Sequence, residues 1–216
     1  MLLLDALSPA PRALRMYLAE KGIVLPVRQV DVFTGENRQP AYLARNAAGQ
    51  TPTLLLDDGT ALAESVAIVE YLEELHPDPP LIGATPRQRA ETRQWQRRIE
   101  LNITENIHNA YHYAEGLARF RDRIPVAPEA ADGLKRVAQD RIAWLDGMLG
   151  GHTFIAGDRF TIADVWLYAW LDFADSVNQP FDRNLRNIAP WFARIAARPS
   201  APASLHPACK PGGVRG

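Results

Sequence analysis

Cysteine is nearly missing from this 216-residue chain: Cys209 stands alone, in a stretch rich in proline and glycine. One thiol can neither close a disulfide within the chain nor build a thiolate metal cage, so any thiol chemistry must use a thiol brought by a ligand. Long apolar runs are missing too. The longest with large side chains, Val165–Leu171, is closed by Asp164 and Asp172 after seven residues, where a membrane-spanning helix needs about 20. Met1–Leu4 meets Asp5 with no basic residue before it, which fails as a secretory signal and leads to the expectation of a cytoplasmic protein. Charge of one sign is scarce, since 24 Lys/Arg stand against 25 Asp/Glu. That leaves no overall field to hold a polyanion, and nucleic acid is not expected as a partner. What is present is ordinary. An apolar share of 47% and a charged share of 23% exclude a disordered, collagen-like or coiled-coil chain, and the length suits one large domain or two small ones.

Composition divides the chain near residue 76. His76–Pro86 carries Pro77, Pro79, Pro80 and Pro86, which block regular helix, so residues 77–86 read as a linker between a first domain, 1–76, and a second, 87–216. In the first, Leu2–Leu4, Val27–Val32 and Thr53–Leu56 are short and branched, as buried strands are. Asp57-Asp58-Gly59 turns the chain into a fourth strand around Thr60–Leu62. Helices are expected over Pro9–Lys21, ended by Gly22, more weakly over Arg38–Arg45, and from Glu64-Ser65 to Leu75, where Val66, Val69, Leu72 and Leu75 recur and Pro77 stops them. Strand, helix, strand, helix, strand, strand, helix is the order of a thioredoxin-like α/β domain. After the linker only helices are found. Ile99, Ile103, Ile107, Ala110, Ala114 and Leu117 predict one long helix from about Pro86 to Arg121, about 50 Å at 1.5 Å per residue. Leu134–Leu149 predicts another, ended by Gly150-Gly151. A third starts at Thr161, with Asp164 completing a capping box and Phe160 stapling onto Val165. Ile188–Ala197 predicts the last, before an irregular tail. The fold class is therefore α+β, a thioredoxin-like domain followed by an all-α one.

Three places in the first domain invite chemistry, and each also has a plain structural reading. Ser8-Pro9-Ala10-Pro11 lies between the first strand and first helix. A redox enzyme of this fold carries Cys-x-x-Cys there, so Ser8 and Pro11 exclude dithiol exchange and leave a hydroxyl at a helix start, which either serves a ligand or caps the helix. Thr51-Pro52 precedes the third strand, either in a plain trans turn or in a cis bond that turns the Thr51 backbone toward the first helix. Glu64-Ser65 opens the third helix, where free N–H groups and the helix dipole favour a carboxylate, unless Ser65 is only a cap. In the second domain, His108, Tyr111, His112 and Tyr113 share one helix. The two histidines stand one turn apart without a third ligand or an HExxH pattern, so no metal is expected. Four of the five tryptophans, Trp144, Trp166, Trp170 and Trp191, sit at helical core spacings. Arg87, Arg89, Arg93, Arg97 and Arg98 make the start of the long helix a basic, solvated or subunit-facing surface.

Taken in register, Ser8-Pro9-x-x-Arg12, Gly49-Gln50-Thr51-Pro52-x-Leu54, Asp58-Gly59, Glu64-Ser65-x-Ala67-Ile68-x-x-Tyr71-Leu72 and Phe160-Thr161-Ile162-Ala163-Asp164 resemble the cytosolic glutathione transferase superfamily over nearly the whole chain, in its serine-using branches similar to delta, theta and zeta. The resemblance implies a glutathione co-substrate, no metal, and usually a homodimer. It implies detoxifying transfer of glutathione to a small hydrophobic electrophile, with a glutathione-dependent isomerase or dehalogenase, or a non-catalytic binding module, as the alternatives. Residue by residue it implies that Ser8 donates to the glutathione sulfur, that Thr51 pairs its backbone with the cysteinyl unit beside a cis Pro52, and that Gln50 contacts the tripeptide backbone. Glu64 then faces the γ-glutamyl ammonium and Ser65 its carboxylate. Asn37 lies where similar proteins often carry a histidine near the glycyl end. The electrophile is expected beside His108, Tyr111 and Tyr113, and Glu100 is expected to reach a partner's glutathione site.

Overall fold

The structure is a computed structural model that describes all 216 residues. Its strands are β1 (Leu2–Asp5), β2 (Val27–Gln29), β3 (Thr53–Leu55) and β4 (Ala61–Ala63). Its helices are α1 (Pro9–Lys21), α2 (Pro40–Leu43), α3 (Ser65–Leu75), α4 (Pro86–Ile99), α5 (Glu105–Tyr113), α6 (Leu117–Phe120), α7 (Ala131–Met148), α8 (Ile162–Ser176), α9 (Ile188–Ala196) and α10 (Ser200–Ala203). The chain forms two compact units, one of residues 1–80 with 199–216 and one of residues 81–198.

In the first unit the sheet order is β2-β1-β3-β4, with β1 parallel to β2 and the other pairs antiparallel. This is the expected mixed thioredoxin-like sheet. Leu3 of β1 and Leu54 of β3 are buried, as are Ala13, Leu14 and Tyr17 of α1 and Ile68 and Leu72 of α3, while Leu4, pointing to the other face of the sheet, clusters with Val30 and Tyr42. Gly22 ends α1 in the left-handed conformation, its amide donating to Ala19, the end that a glycine there encodes. Beneath the helices lies a buried charge pair: Glu73 accepts from Lys21 at 3.0 Å and from the Tyr17 hydroxyl at 3.2 Å. The segment after Arg198 folds back on this unit instead of extending the helical one. It is fixed there by Arg15, which donates to the Ser204 carbonyl at 2.8 Å, and by Arg12, which donates to the Ser204 hydroxyl at 3.4 Å. Part of it is ordered as α10.

The second unit is all helical, as expected, with one correction. The long helix does not reach Arg121. It runs from α4 through a π-helical stretch, Glu100–Thr104, into α5, and breaks at Ala114, whose φ of −124° and ψ of −93° are not helical. The core stripe survives the π turn, since Ile99, Ile103, Ile107 and Ala110 are all buried. The break falls where Gly116 turns the chain, its amide donating to the Tyr111 carbonyl at 2.7 Å. A Cβ at Gly116 would stand 2.9 Å from that carbonyl, so only glycine closes the turn. Helix α8 is buried on every face from Ile162 to Ala174, as an apolar helix at the centre of a bundle must be. Its start is the predicted capping box. Asp164 accepts from the Thr161 amide at 2.9 Å and the Thr161 hydroxyl at 3.2 Å, and also from the Ile155 amide and the Trp191 indole. No helix is long and apolar enough to cross a membrane.

Candidate functional site

Strand register brings the three sequence-singled segments of the first unit to one end of the sheet. Leu4 of β1 pairs with Thr53 of β3, and Thr53 pairs with Ala63 of β4. Ser8 therefore leaves the end of β1 at the level where Thr51 enters β3 and where Glu64-Ser65 leaves β4. A cavity of about 320 Å³ is lined by Leu2, Arg28, Tyr42 and Leu55 and by none of these three segments.

Ser8 precedes α1 with extended backbone, φ −161° and ψ 154°, and its side chain makes no cap bond. The plain reading of Ser8 as a helix cap is thus not what the chain does, and the sequence explains why. A cap hydroxyl accepts from the second or third helical amide. The third is Pro11, which has none, and Pro9 removes another donor at the first position. Little remains for Ser8 to cap, and its hydroxyl stands free at the positive end of a 13-residue helix.

The Thr51–Pro52 bond is cis. The loop before it is held by side chains that spend themselves on its other carbonyls. Arg38 donates to Ala48 at 3.0 Å, Asn37 to Gly49 at 2.6 Å, and Tyr42 and Asn46 to Gln50 at 2.6 and 2.9 Å. Tyr42 and Asn46 also meet the buried Thr53 hydroxyl at 3.0 and 3.1 Å. Burial pushes the Tyr42 phenol up from its ordinary pKa, which keeps it a donor. Gly49 has φ +61°, and a Cβ there would stand 2.8 Å from Arg38 and 3.0 Å from the Asn37 carbonyl. Through all this the backbone N–H and C=O of Thr51 stay unbonded to protein, open to an extended peptide. Asn37 therefore braces the loop, and Gln50 presents an exposed side chain beside Thr51. Sequence reasoning missed Tyr42 and Asn46 as supports; the only signal was a tyrosine and an asparagine four residues apart, shortly before a Gly-x-x-Pro loop.

Glu64 takes φ +65° and ψ 115°, a backbone state that costs a non-glycine residue about 1–3 kcal/mol and concentrates at binding sites. Its carboxylate is exposed and makes no bond to protein, and Ser65 opens α3 buried, its hydroxyl likewise unpartnered. One end of the sheet thus presents a free hydroxyl, a free peptide unit, a free carboxylate and a helix start. The arrangement suits a short zwitterionic peptide with a polar group at its middle.

In the second unit, α5 carries the other candidates. His108 packs against His112, ring centroids 4.1 Å apart, and edge-on against Trp170 at 5.2 Å. Burial pulls the His108 imidazole down to about 4, so it is neutral at pH 7. The Tyr111 hydroxyl accepts from Arg119 at 2.8 Å and its ring packs on Phe173, while Tyr113 is half-buried. Glu100 is buried and ion-paired with Arg97 at 2.6 Å, and burial raises its pKa. No three histidine, cysteine or acidic side chains converge as a metal site would require.

The chain is similar to known proteins over most of its length. The glutathione S-transferase N-terminal domain model matches residues 7–75 and the C-terminal domain model residues 124–199. The chain is 31% identical over 198 residues to glutathione S-transferase 2 of Saccharomyces cerevisiae, covering 89% of this chain and 84% of that protein. It is 32% identical over 208 residues to maleylacetoacetate isomerase of Pseudomonas aeruginosa, covering 94% of each. The crystal structure of a glutathione S-transferase domain-containing protein from Marinobacter aquaeolei superposes with a TM-score of 0.88 at 36% identity, covering 93% of this chain and 100% of the other. The chain belongs to the glutathione S-transferase family.

Proposed function

We propose that the protein is a glutathione transferase that binds glutathione along the β1, β3 and β4 ends and activates its thiol at Ser8 for attack on a small hydrophobic electrophile. The observation that carries this is the unspent Ser8 hydroxyl at the start of α1. A thiol of pKa about 8.5 is only about 3% thiolate at pH 7, and the thiolate is the nucleophile. A hydrogen bond to the charged form together with a helix N-terminus lowers that pKa, and a drop of about two units is worth roughly 2.7 kcal/mol. Thr51 pairs its free backbone with the cysteinyl unit. Glu64 and Ser65 hold the γ-glutamyl ammonium and carboxylate, Gln50 touches the tripeptide backbone, and Asn37 acts by bracing Gly49. Residues 1–76 hold six Lys/Arg and ten Asp/Glu, so long-range attraction opposes an anionic tripeptide and directed donors must bind it. His108 and Tyr113 contribute to the electrophile side, His108 as a neutral ring. We further propose a homodimer, checked by light scattering, in the cytoplasm, checked by cell fractionation.

Ser8→Ala tests the reading. Turnover with a chloronitrobenzene electrophile falls about a hundredfold, glutathione affinity changes less than threefold, and the ultraviolet thiolate band seen on binding is lost at pH 7, because the bond is to a group that gains charge. Unchanged turnover overturns the role of Ser8. A second reading is favoured by the similarity to an isomerase over 94% of the chain: glutathione adds to the substrate and leaves again. Stoichiometric recovery of free glutathione after turnover selects that reading over conjugation.

A further inference from the structure

The segment 206–216 ends against the very residue assigned to the thiol. Gly216 is buried, although Pro211 and Gly212 just before it are exposed. A Cβ placed on Gly216 would lie 2.6 Å from the Ser8 amide nitrogen, 2.8 Å from the Ser8 Cα and 2.9 Å from its carbonyl carbon. These are backbone atoms at a helix start and cannot move aside, so only glycine seats there. The Gly216 carbonyl accepts from the His206 amide at 3.1 Å, and the Val214 carbonyl from the Cys209 thiol at 3.4 Å.

The segment has a firm root and an exposed middle. The root is built in: the Arg12 and Arg15 bonds to Ser204, and the His206 ring bonded to Gln29, whose amide donates to the buried Asp5 at 3.2 Å. Beyond His206 the chain runs through Pro207, Ala208, Lys210, Pro211 and Gly212, all exposed, with short-range bonds from Ala208 to the His206 ring and from Gly213 to the Lys210 carbonyl. Gly212 takes φ +72°, a conformation glycine adopts freely, where a hinge needs little. Few buried apolar contacts and exposed backbone mark a unit that opens at low free energy.

We infer that residues 207–216 form an autoinhibitory strap that competes with glutathione for the space at Ser8. This rests on the reading of Ser8 as the thiol site. With the strap seated, Gly216 fills the space against the Ser8 backbone; glutathione binds the strap-open population only. The observed dissociation constant is then the intrinsic one divided by the open fraction. Removing the strap, or making it unable to seat, tightens glutathione binding without touching any group that binds it.

Calorimetric titration with glutathione on the full chain, on a chain ending at His206, and on Gly216→Ala tests the strap. Both variants are expected to bind about tenfold more tightly than the full chain. A second readout uses Cys209, whose thiol is tied to Val214 while the strap is seated. Its labelling by a maleimide is expected to speed up severalfold when the full chain is saturated with S-methylglutathione, which carries no thiol of its own, and to be already fast in Gly216→Ala. Equal or weaker glutathione binding in both variants, or a Cys209 labelling rate indifferent to S-methylglutathione, overturns the strap and leaves the Ser8 reading standing. No glutathione binding to any of the three chains overturns the glutathione site itself.

Discussion

Asp164→Ala is the substitution with the most at stake for the fold, and its cost can be worked from four bonds. The carboxylate is fully buried, yet each oxygen has two donors: the Ile155 amide at 2.9 Å and the Trp191 indole at 2.8 Å on one, the Thr161 amide at 2.9 Å and hydroxyl at 3.2 Å on the other. Three of these donors are rigid and find no water when the carboxylate goes. An orphaned buried donor costs about 1–3 kcal/mol, so roughly 3–9 kcal/mol is lost. Part is returned, because burial charges its own toll: it pushes the Asp164 carboxyl up to about 6 from an ordinary 3.8, a disadvantage to the charged form of about 3 kcal/mol at neutral pH. The net expectation is a loss of about 0–6 kcal/mol, centred near 3, and that centre is roughly 6–12 °C in melting temperature for a chain of this size, read by scanning calorimetry at pH 7. The pH dependence has a definite sign. A raised folded pKa means that the folded state holds a proton the unfolded chain has released, so this contribution is present below about pH 3.8 and lost as pH rises through about 6. Against Asp164→Asn, which does not titrate, the wild-type advantage in urea unfolding should therefore shrink by about 2 kcal/mol between pH 4 and pH 7. A melting temperature within 3 °C of wild type for Asp164→Ala would refute the premise that the four bonds hold the start of α8.

Glu73→Ala leaves the Lys21 ammonium and the Tyr17 hydroxyl buried without the acceptor they share; removing one partner of such a pair costs about 3–5 kcal/mol, measured by denaturant unfolding. Gly49→Ala cannot keep φ +61° and its approach to Arg38 and Asn37; glutathione affinity should fall about tenfold by calorimetry, with about 1–3 kcal/mol of stability. Glu64→Gly should separate stability from binding. It relieves φ +65°, so stability holds or rises by up to about 1 kcal/mol, while glutathione affinity drops at least tenfold through loss of the carboxylate. A parallel fall in both quantities would contradict Glu64 as a ligand group.

Much of this was open to sequence reasoning because the signals were local. Pro9 at the first position of α1, Gly22 after it and the Thr161–Asp164 box each fix a helix end through the bonds of one or two residues, and those ends fall where expected. That Ser8, Thr51 and Glu64 serve one site was implied by the family resemblance, and strand register puts their three segments at one end of the sheet. What stayed hidden depends on distance along the chain or on small changes of helical pitch. The apolar spacing from Ile99 to Leu117 cannot report the π turn at Glu100–Thr104, because one wider turn shifts the stripe by less than a side chain's width. It also overran Gly116, whose turn is set by its fit against Tyr111 and Phe120. The fold-back of Ser204 onto Arg12 and Arg15, with 192 and 189 residues between partners, leaves no periodic trace. Neither does the bracing of Gln50 by Tyr42 and Asn46, which joins side chains to backbone carbonyls that every residue has.

The way the first unit distributes its polar groups explains why so few side chains carry the chemistry. With a formal charge of −4 over residues 1–76, the domain repels the thiolate it is proposed to stabilise, and that repulsion is screened within about 10 Å in ordinary salt. Stabilisation has to come from donors in direct contact, which gain strength as water is excluded around them. Arg12 and Arg15, the cations of α1 next to Ser8, are engaged with Ser204 and Asp5 and serve to fix the root of the strap and the end of β1. Ser8 is left as the one free hydroxyl at that helix start, and Gly216 lies against its backbone when no ligand does. The same exclusion of water that makes one serine hydroxyl sufficient makes a glycine-sized plug a fitting cover for it, and binding and closure draw on a single small volume of space.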